Sequence, residues 1–178
     1  MSDGSIVRRV GADEAASLVP ALGRLLIECV HGGASVGFMA PLAIERAERF
    51  WRTVADGVAR GERALLVAED PDGALLGTVQ LVLALPENQP HRGDVAKMLV
   101  RPRARRRGLA ARLLAAVEAT ARDEGRRVLV LDAVTGGDAA RLYARAGWLR
   151  VGDIPAYALM PDGEIGRASC RERVCCKV

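Results

Sequence analysis

Five arginines fall between positions 101 and 107 (Arg101, Arg103, Arg105, Arg106 and Arg107), and Gly108 follows directly. An apolar run, Val95 to Val100, precedes them and is broken by Arg101-Pro102. An Ala/Leu-rich helical pattern follows and stops at Glu124-Gly125. This order predicts a strand, a basic loop and a helix over 107–124. The first N–H groups of a helix have no intrahelical partner and carry partial positive charge, so they hold phosphate oxygens. A glycine lets the backbone approach a bulky anion, and arginine supplies fork-shaped donors. The chemistry these residues suit is a cradle for a pyrophosphate.

The elements that would carry this cradle can be read along the chain. Ser5 to Val10 suits a short strand. A helix capped by Asp13 is expected from about Glu14 to Val30, with Pro20 a point for a break. His31 to Pro41 is a glycine-rich loop carrying Phe38 and Met39; such a loop either shapes a pocket or merely connects helices. Pro41 suits the first turn of a helix from Leu42 to about Arg60, in which Phe50 and Trp51 belong to the apolar stripe. Strands are expected over 64–70 and 74–85, joined by the Pro71-Asp72-Gly73 turn, with Gly77 a candidate bulge. Further strands are expected over 94–100, 126–134 and 148–158, with a short helix over 138–146 closed by Gly147. The fold class is α+β: a mixed, mostly antiparallel sheet flanked by helices.

Totals narrow the function. At 178 residues, 50% of them apolar and 27% charged, the chain suits one soluble domain. No apolar run is long enough to span a membrane and the N-terminus lacks a secretory signal pattern, so no membrane partner is expected and the cytoplasm is the default location. The net charge is +4. Residues 164–178 hold four Lys/Arg and two Asp/Glu, so they supply +2 of it, and the remaining basic density sits in the 101–107 loop. With aromatics at 3%, this reads as a local anion site, and no nucleic-acid partner is expected. Only Cys29 lies outside the tail, so no disulfide framework and no metal site are expected.

Two motifs together resemble the GCN5-related N-acetyltransferase (GNAT) superfamily. One is Arg105-Arg106-Arg107-Gly108-Leu109-Ala110, opening a helix after a strand. The other is Leu142-Tyr143-Ala144-Arg145-Ala146-Gly147-Trp148. The resemblance covers about residues 5 to 163. Within the superfamily, Gly33–Leu42, His91–Val100 and Leu131–Tyr143 look like the tabtoxin resistance protein and its relatives.

The resemblance implies transfer of an acetyl group from acetyl-CoA to a primary amine by direct attack, with a small-molecule amine as acceptor and no metal. It implies that Arg105, Arg106, Arg107, Gly108, Leu109 and Ala110 hold the pyrophosphate. Backbone groups of Met98, Leu99 and Val100 would pair with the pantetheine arm, and an N–H near Met98 or Leu99 would polarise the thioester carbonyl. Tyr143 takes the family's tyrosine position, as proton donor to the departing thiolate. Asp94 is the first candidate for general base; a surface carboxylate at a strand entry has the same signature. Asp132, ending the next strand, is the second, with an Asx-type turn as its alternative. His91 could titrate near neutral pH, although a loop histidine is commonly polar surface. Ser35 and Phe38 are candidates for the acceptor pocket. Lys97 is expected to face solvent. Dimers are common in the superfamily, which leaves a homodimer open. Two other readings stay open: acetylation of protein N-termini or lysines, and a non-catalytic module binding acyl-CoA or nucleic acid.

Residues 164–178 depart from the pattern. They follow a second Pro-Asp-Gly turn at 161–163 but lack alternation, and they resemble the translation of a sequencing adapter. The catalytic domain is therefore expected over 1–163, with 164–178 a non-native tail and the last strand lost or replaced.

Overall fold

A computed structural model of the chain describes residues 4–175. Seven strands form one sheet in the order β1-β2-β3-β4-β5-β7-β6. They are β1 (Ile6–Arg9), β2 (Arg63–Glu69), β3 (Leu75–Val82), β4 (Arg92–Val100), β5 (Val128–Val134), β6 (Leu149–Leu159) and β7 (Ile165–Val174). Every pairing is antiparallel except β4 with β5. The α+β expectation holds.

Helices cover both faces, because alternate residues of the inner strands are apolar on each side. Helix α4 (Leu109–Asp123) packs Leu109, Leu113, Leu114 and Val117 against Leu66, Val79, Leu81 and Leu129. Helices α2 (Val19–His31) and α3 (Ile44–Ala59) pack Leu22, Leu26 and Trp51 against Leu65, Val67 and Leu99 on the other face. The expected break near Pro20 is real. A single turn, α1 (Ala12–Ala15), ends before α2, and Pro20 sits in the first turn of α2, where its missing N–H costs nothing. Asp13 does not cap: Gly11 holds that position, without a side-chain bond.

Gly77 belongs to a close approach of β3 and β4. A Cβ there would lie 2.7 Å from the Leu99 carbonyl oxygen. The β2–β3 register slips beside it, between Ala68 and Glu69.

The last strand was expected to be lost or replaced; loss is corrected, because its place in the sheet is filled. Residues 165–174 form β7, inserted between β5 and β6, with Val134↔Ala168 through Val128↔Val174 on one side and Ile154↔Ala168 among the pairs on the other. The reason is physical. Ladder bonds are made by the backbone and do not require side-chain alternation, and β5 otherwise presents an open row of N–H and C=O groups. The turn bonds Gly163 N–H to the Met160 carbonyl and Met160 N–H to the Glu164 carbonyl, aiming the segment into that slot. Its side chains divide between buried and exposed positions. Arg171 is buried with its Nε unpartnered among described residues, while Ile165 and Val174 stay exposed.

Candidate active site

The two parallel strands part company early. β4 pairs β5 only at Arg92↔Val128, Gly93↔Leu129 and Asp94↔Val130. From Val95 onward β4 turns an edge towards a widening cleft. A bulge then sets Lys97 and Met98 opposite the single residue Val79, and Lys97 adopts φ 51°, a left-handed conformation uncommon for a side-chain-bearing residue. The side chain of Leu99 is buried against α2 and α3, whereas Met98 packs on the α4 face. With those side chains anchored, what Met98, Leu99 and Val100 offer a ligand in the cleft is backbone.

At the mouth of the same cleft lies the basic loop. A turn of 3-10 helix spans Pro102–Ala104, and Arg106 (φ 62°) and Gly108 (φ 77°) then bend the chain into the start of α4. Arg112 N–H bonds to the Gly108 carbonyl and opens the helical ladder, so the N–H groups of Leu109, Ala110 and Ala111 have no intrahelical acceptor. Arg105, Arg106 and Arg107 are exposed around them, and the Arg105 Nε donates to the Val100 carbonyl at 3.3 Å. Leu109 is buried and contributes only backbone. Arg101 is set apart from this group. Its Nε donates to the Leu75 carbonyl at 2.7 Å and its NH1 pairs with Glu28, so it ties the loop to β3 and α2.

Tyr143 approaches from α5 (Asp138–Arg145). The helix ends in a Schellman motif: Gly147 (φ 81°) donates to the Ala144 carbonyl, and Trp148 N–H donates to the Tyr143 carbonyl at 2.9 Å. The accompanying apolar contact joins Tyr143 and Trp148, ring centroids 5.7 Å apart. Trp148 is fixed in turn by its Nε1–H, which donates to Glu118 Oε1 at 2.8 Å inside the core. The sequence pattern of a tyrosine four residues before Gly-Trp is thus a helix stop that locks a phenol in place. Tyr143 is 5% exposed. Burial first, and the Asp132 charge second, push its pKa up to about 12, so the phenol stays protonated.

Asp94 and Asp132 share one face of the sheet. Asp94 pairs with Val130, and Asp132 is two residues further along β5. Burial holds the Asp94 carboxyl above the usual range; Arg92, 3.3 Å away, pulls it down, and Asp132 pushes it up again. Asp132 itself is exposed to the cleft.

The loop over 33–43 forms a wall. Ala40 N–H donates to the Pro161 carbonyl in the β6–β7 turn, and Leu42 N–H donates to His31 Nε2. Phe38 stacks edge-on to Phe50 at 5.2 Å. Ser35 lies in the same loop with no hydrogen bond to a described residue. Lys97 departs from expectation. It is partly buried beneath this loop with Nζ over the Phe50 and Phe38 rings, at 5.4 and 6.0 Å. Tyr157 of β6, not singled out from the sequence, also feels Asp132, which raises its phenol pKa. His91 is exposed; its carbonyl holds the start of β5 through Arg127 and Val128 N–H.

The acetyltransferase (GNAT) family profile matches residues 34–148, which spans the wall loop, the splayed strand, the basic loop and Tyr143. The chain belongs to the GNAT family. A curated relative, an uncharacterized N-acetyltransferase of Azospirillum brasilense, is 41% identical over 107 residues, 59% of this chain and 61% of that protein. The match therefore spans less than two thirds of that relative's length. A GCN5-related N-acetyltransferase from Kribbella flavida has the same fold, with TM-score 0.79 at 22% identity over 98% of this chain and 99% of that one. A putative acetyltransferase from Salmonella typhimurium, solved with its cofactor acetyl-CoA, matches with TM-score 0.77 at 15% identity, over 98% of this chain and 95% of that one. No described helix is long and apolar enough to cross a membrane.

Proposed function

We propose that this GNAT enzyme moves an acetyl group from acetyl-CoA to the primary amine of a small molecule, such as a toxin, an antibiotic or an amino-acid-like compound. The observation that carries the reading is the parting of β4 and β5 after Asp94, with the α4 N-terminus at one end of the opening and Tyr143 beside it. The cleft fits an extended thioester. The N–H groups of Leu109 and Ala110, with Arg105, Arg106, Arg107 and Gly108, suit the pyrophosphate, and the β4 edge from Met98 to Val100 suits the amide-bearing arm. The thioester supplies the activated acetyl group.

The remaining work falls to side chains. Asp94, with Asp132 beside it, takes the proton that makes the amine nucleophilic, directly or through water. Tyr143 donates a proton to the departing sulfur. Ser35 and Phe38 contribute to the acceptor wall. We take 1–163 as the catalytic unit and 164–178 as a foreign segment, of which residues 165–174 occupy the place of its last strand. The wall loop is tied to the β6–β7 turn by the Ala40 N–H bond to the Pro161 carbonyl, and we take this bounded side of the cleft to favour a small acceptor over a protein chain.

Thiol release from acetyl-CoA, measured across a panel of amines that includes β-lactam amino acids, aminoglycosides and N-terminal peptides, tests the reading. Amine-dependent release with a small molecule is expected. Release with peptides alone would transfer the assignment to protein acetylation.

A further inference from the structure

Lys97 has no ion-pair partner among the described residues. It rests on the faces of Phe38 and Phe50, and a Cβ placed on Gly37 in the wall loop would be only 3.8 Å from Nζ. Aromatic faces stabilise an ammonium but satisfy none of its three N–H donors. Arg46 lies over the same Phe38 ring at 5.8 Å, adding positive charge to this rim. On the adjoining strand β5, Asp132 is near enough for its charge to act on Lys97 but makes no ion pair with it, and Asp94 shares its sheet face. Arg63, the other charge acting on Lys97, has NH1 turned to Gln80 Oε1. The bulge that aims Lys97 holds it in a left-handed backbone conformation, a strained geometry that clusters at functional sites.

A positive pole and a negative pole thus lie near one opening without an ion pair between them. A molecule carrying both an ammonium and a carboxylate would complete both. We propose that Lys97 binds the carboxylate of the acceptor, and that the acceptor is a free amino acid or a close analogue whose amine lies towards Asp94 and Asp132. A carboxylate matches the Lys97 ammonium, and inorganic phosphate added as a competitor distinguishes it from a phosphate group. This inference rests on the small-amine reading above and narrows it.

The test compares free α-amino acids with their α-amides as acceptors, for the wild type, Lys97→Met and Lys97→Arg. Wild type is expected to favour the acid over its amide by roughly 10- to 100-fold in kcat/KM, the usual value of a hydrogen bond to a charged group. Lys97→Met should erase that ratio, chiefly through KM for the amino acid, and Lys97→Arg should restore much of it. Acetyl-CoA affinity by calorimetry reports whether each variant is folded. An unchanged ratio in Lys97→Met overturns the proposal, as does wild-type turnover of amines without preference for the acid; both leave the small-amine reading standing. No turnover of any small amine overturns both.

Discussion

Asp94 and Asp132 lie on the same face of adjoining parallel strands, two residues apart in register, at the point where those strands separate. The position is set by topology. Pairing ends at Asp94↔Val130, so each carboxylate borders the cleft. Burial together with the Asp132 charge holds Asp94 above the usual carboxylate range.

Asp94→Asn tests the base assignment. The variant is expected to lower kcat/KM about 100-fold, a typical loss for a general base. Its effect on stability has a definite sign. A carboxyl whose folded pKa is raised contributes stability at low pH and loses it as pH rises through that pKa. Asn removes this loss, so the melting temperature at pH 7 should equal or exceed that of wild type. A drop in both activity and melting temperature would mark Asp94 as structural.

Tyr143→Phe keeps the contact with Trp148 and removes only the hydroxyl. It should reduce kcat by about 100-fold with little change in KM for acetyl-CoA. Because the phenol pKa is pushed up to about 12, the wild-type rate should show no loss of the donor proton up to about pH 10. Full turnover in the variant would remove Tyr143 from the chemistry.

Gly108→Ala probes the cradle without touching a charge. The residue sits at φ 77°, and a Cβ there would meet no atom within 4 Å, so the cost is conformational, about 1–2 kcal/mol. Calorimetry should find CoA binding weakened, with a melting temperature only slightly reduced. Unaltered CoA affinity would place the pyrophosphate elsewhere.

Arg171→Leu addresses the last strand. Arg171 is buried in β7 with an unpartnered Nε. An apolar replacement of similar volume removes that unsatisfied donor and should stabilise the chain by about 1–3 kcal/mol in denaturant unfolding. Destabilisation would show that Arg171 belongs where it is and weaken the view of 164–178 as foreign.

Much of this was legible in the sequence because its signals are local. The helix start at Gly108 is local chemistry, and the spacing of Tyr143, Gly147 and Trp148 is a helix stop written in consecutive residues. The bulge at Lys97 was not legible. It arises from the register of β3 against β4, and a lysine in an apolar strand reads as solvent-facing until Phe38 and Phe50 are folded over it. Strand β7 was hidden for the opposite reason. Its place is imposed by the open edges of β5 and β6, and the side chains of 165–174 carry little record of it.

On the proposed reading, acetyl passes directly to a small primary amine in the β4–β5 cleft. The most direct measurement follows an isotope-labelled acetyl group by mass spectrometry, after incubating enzyme, labelled acetyl-CoA and the amine panel. The expected result is label on the primary nitrogen of a small acceptor, with none retained on the protein. Label found only as free acetate, on the enzyme itself or on peptide acceptors would contradict the account.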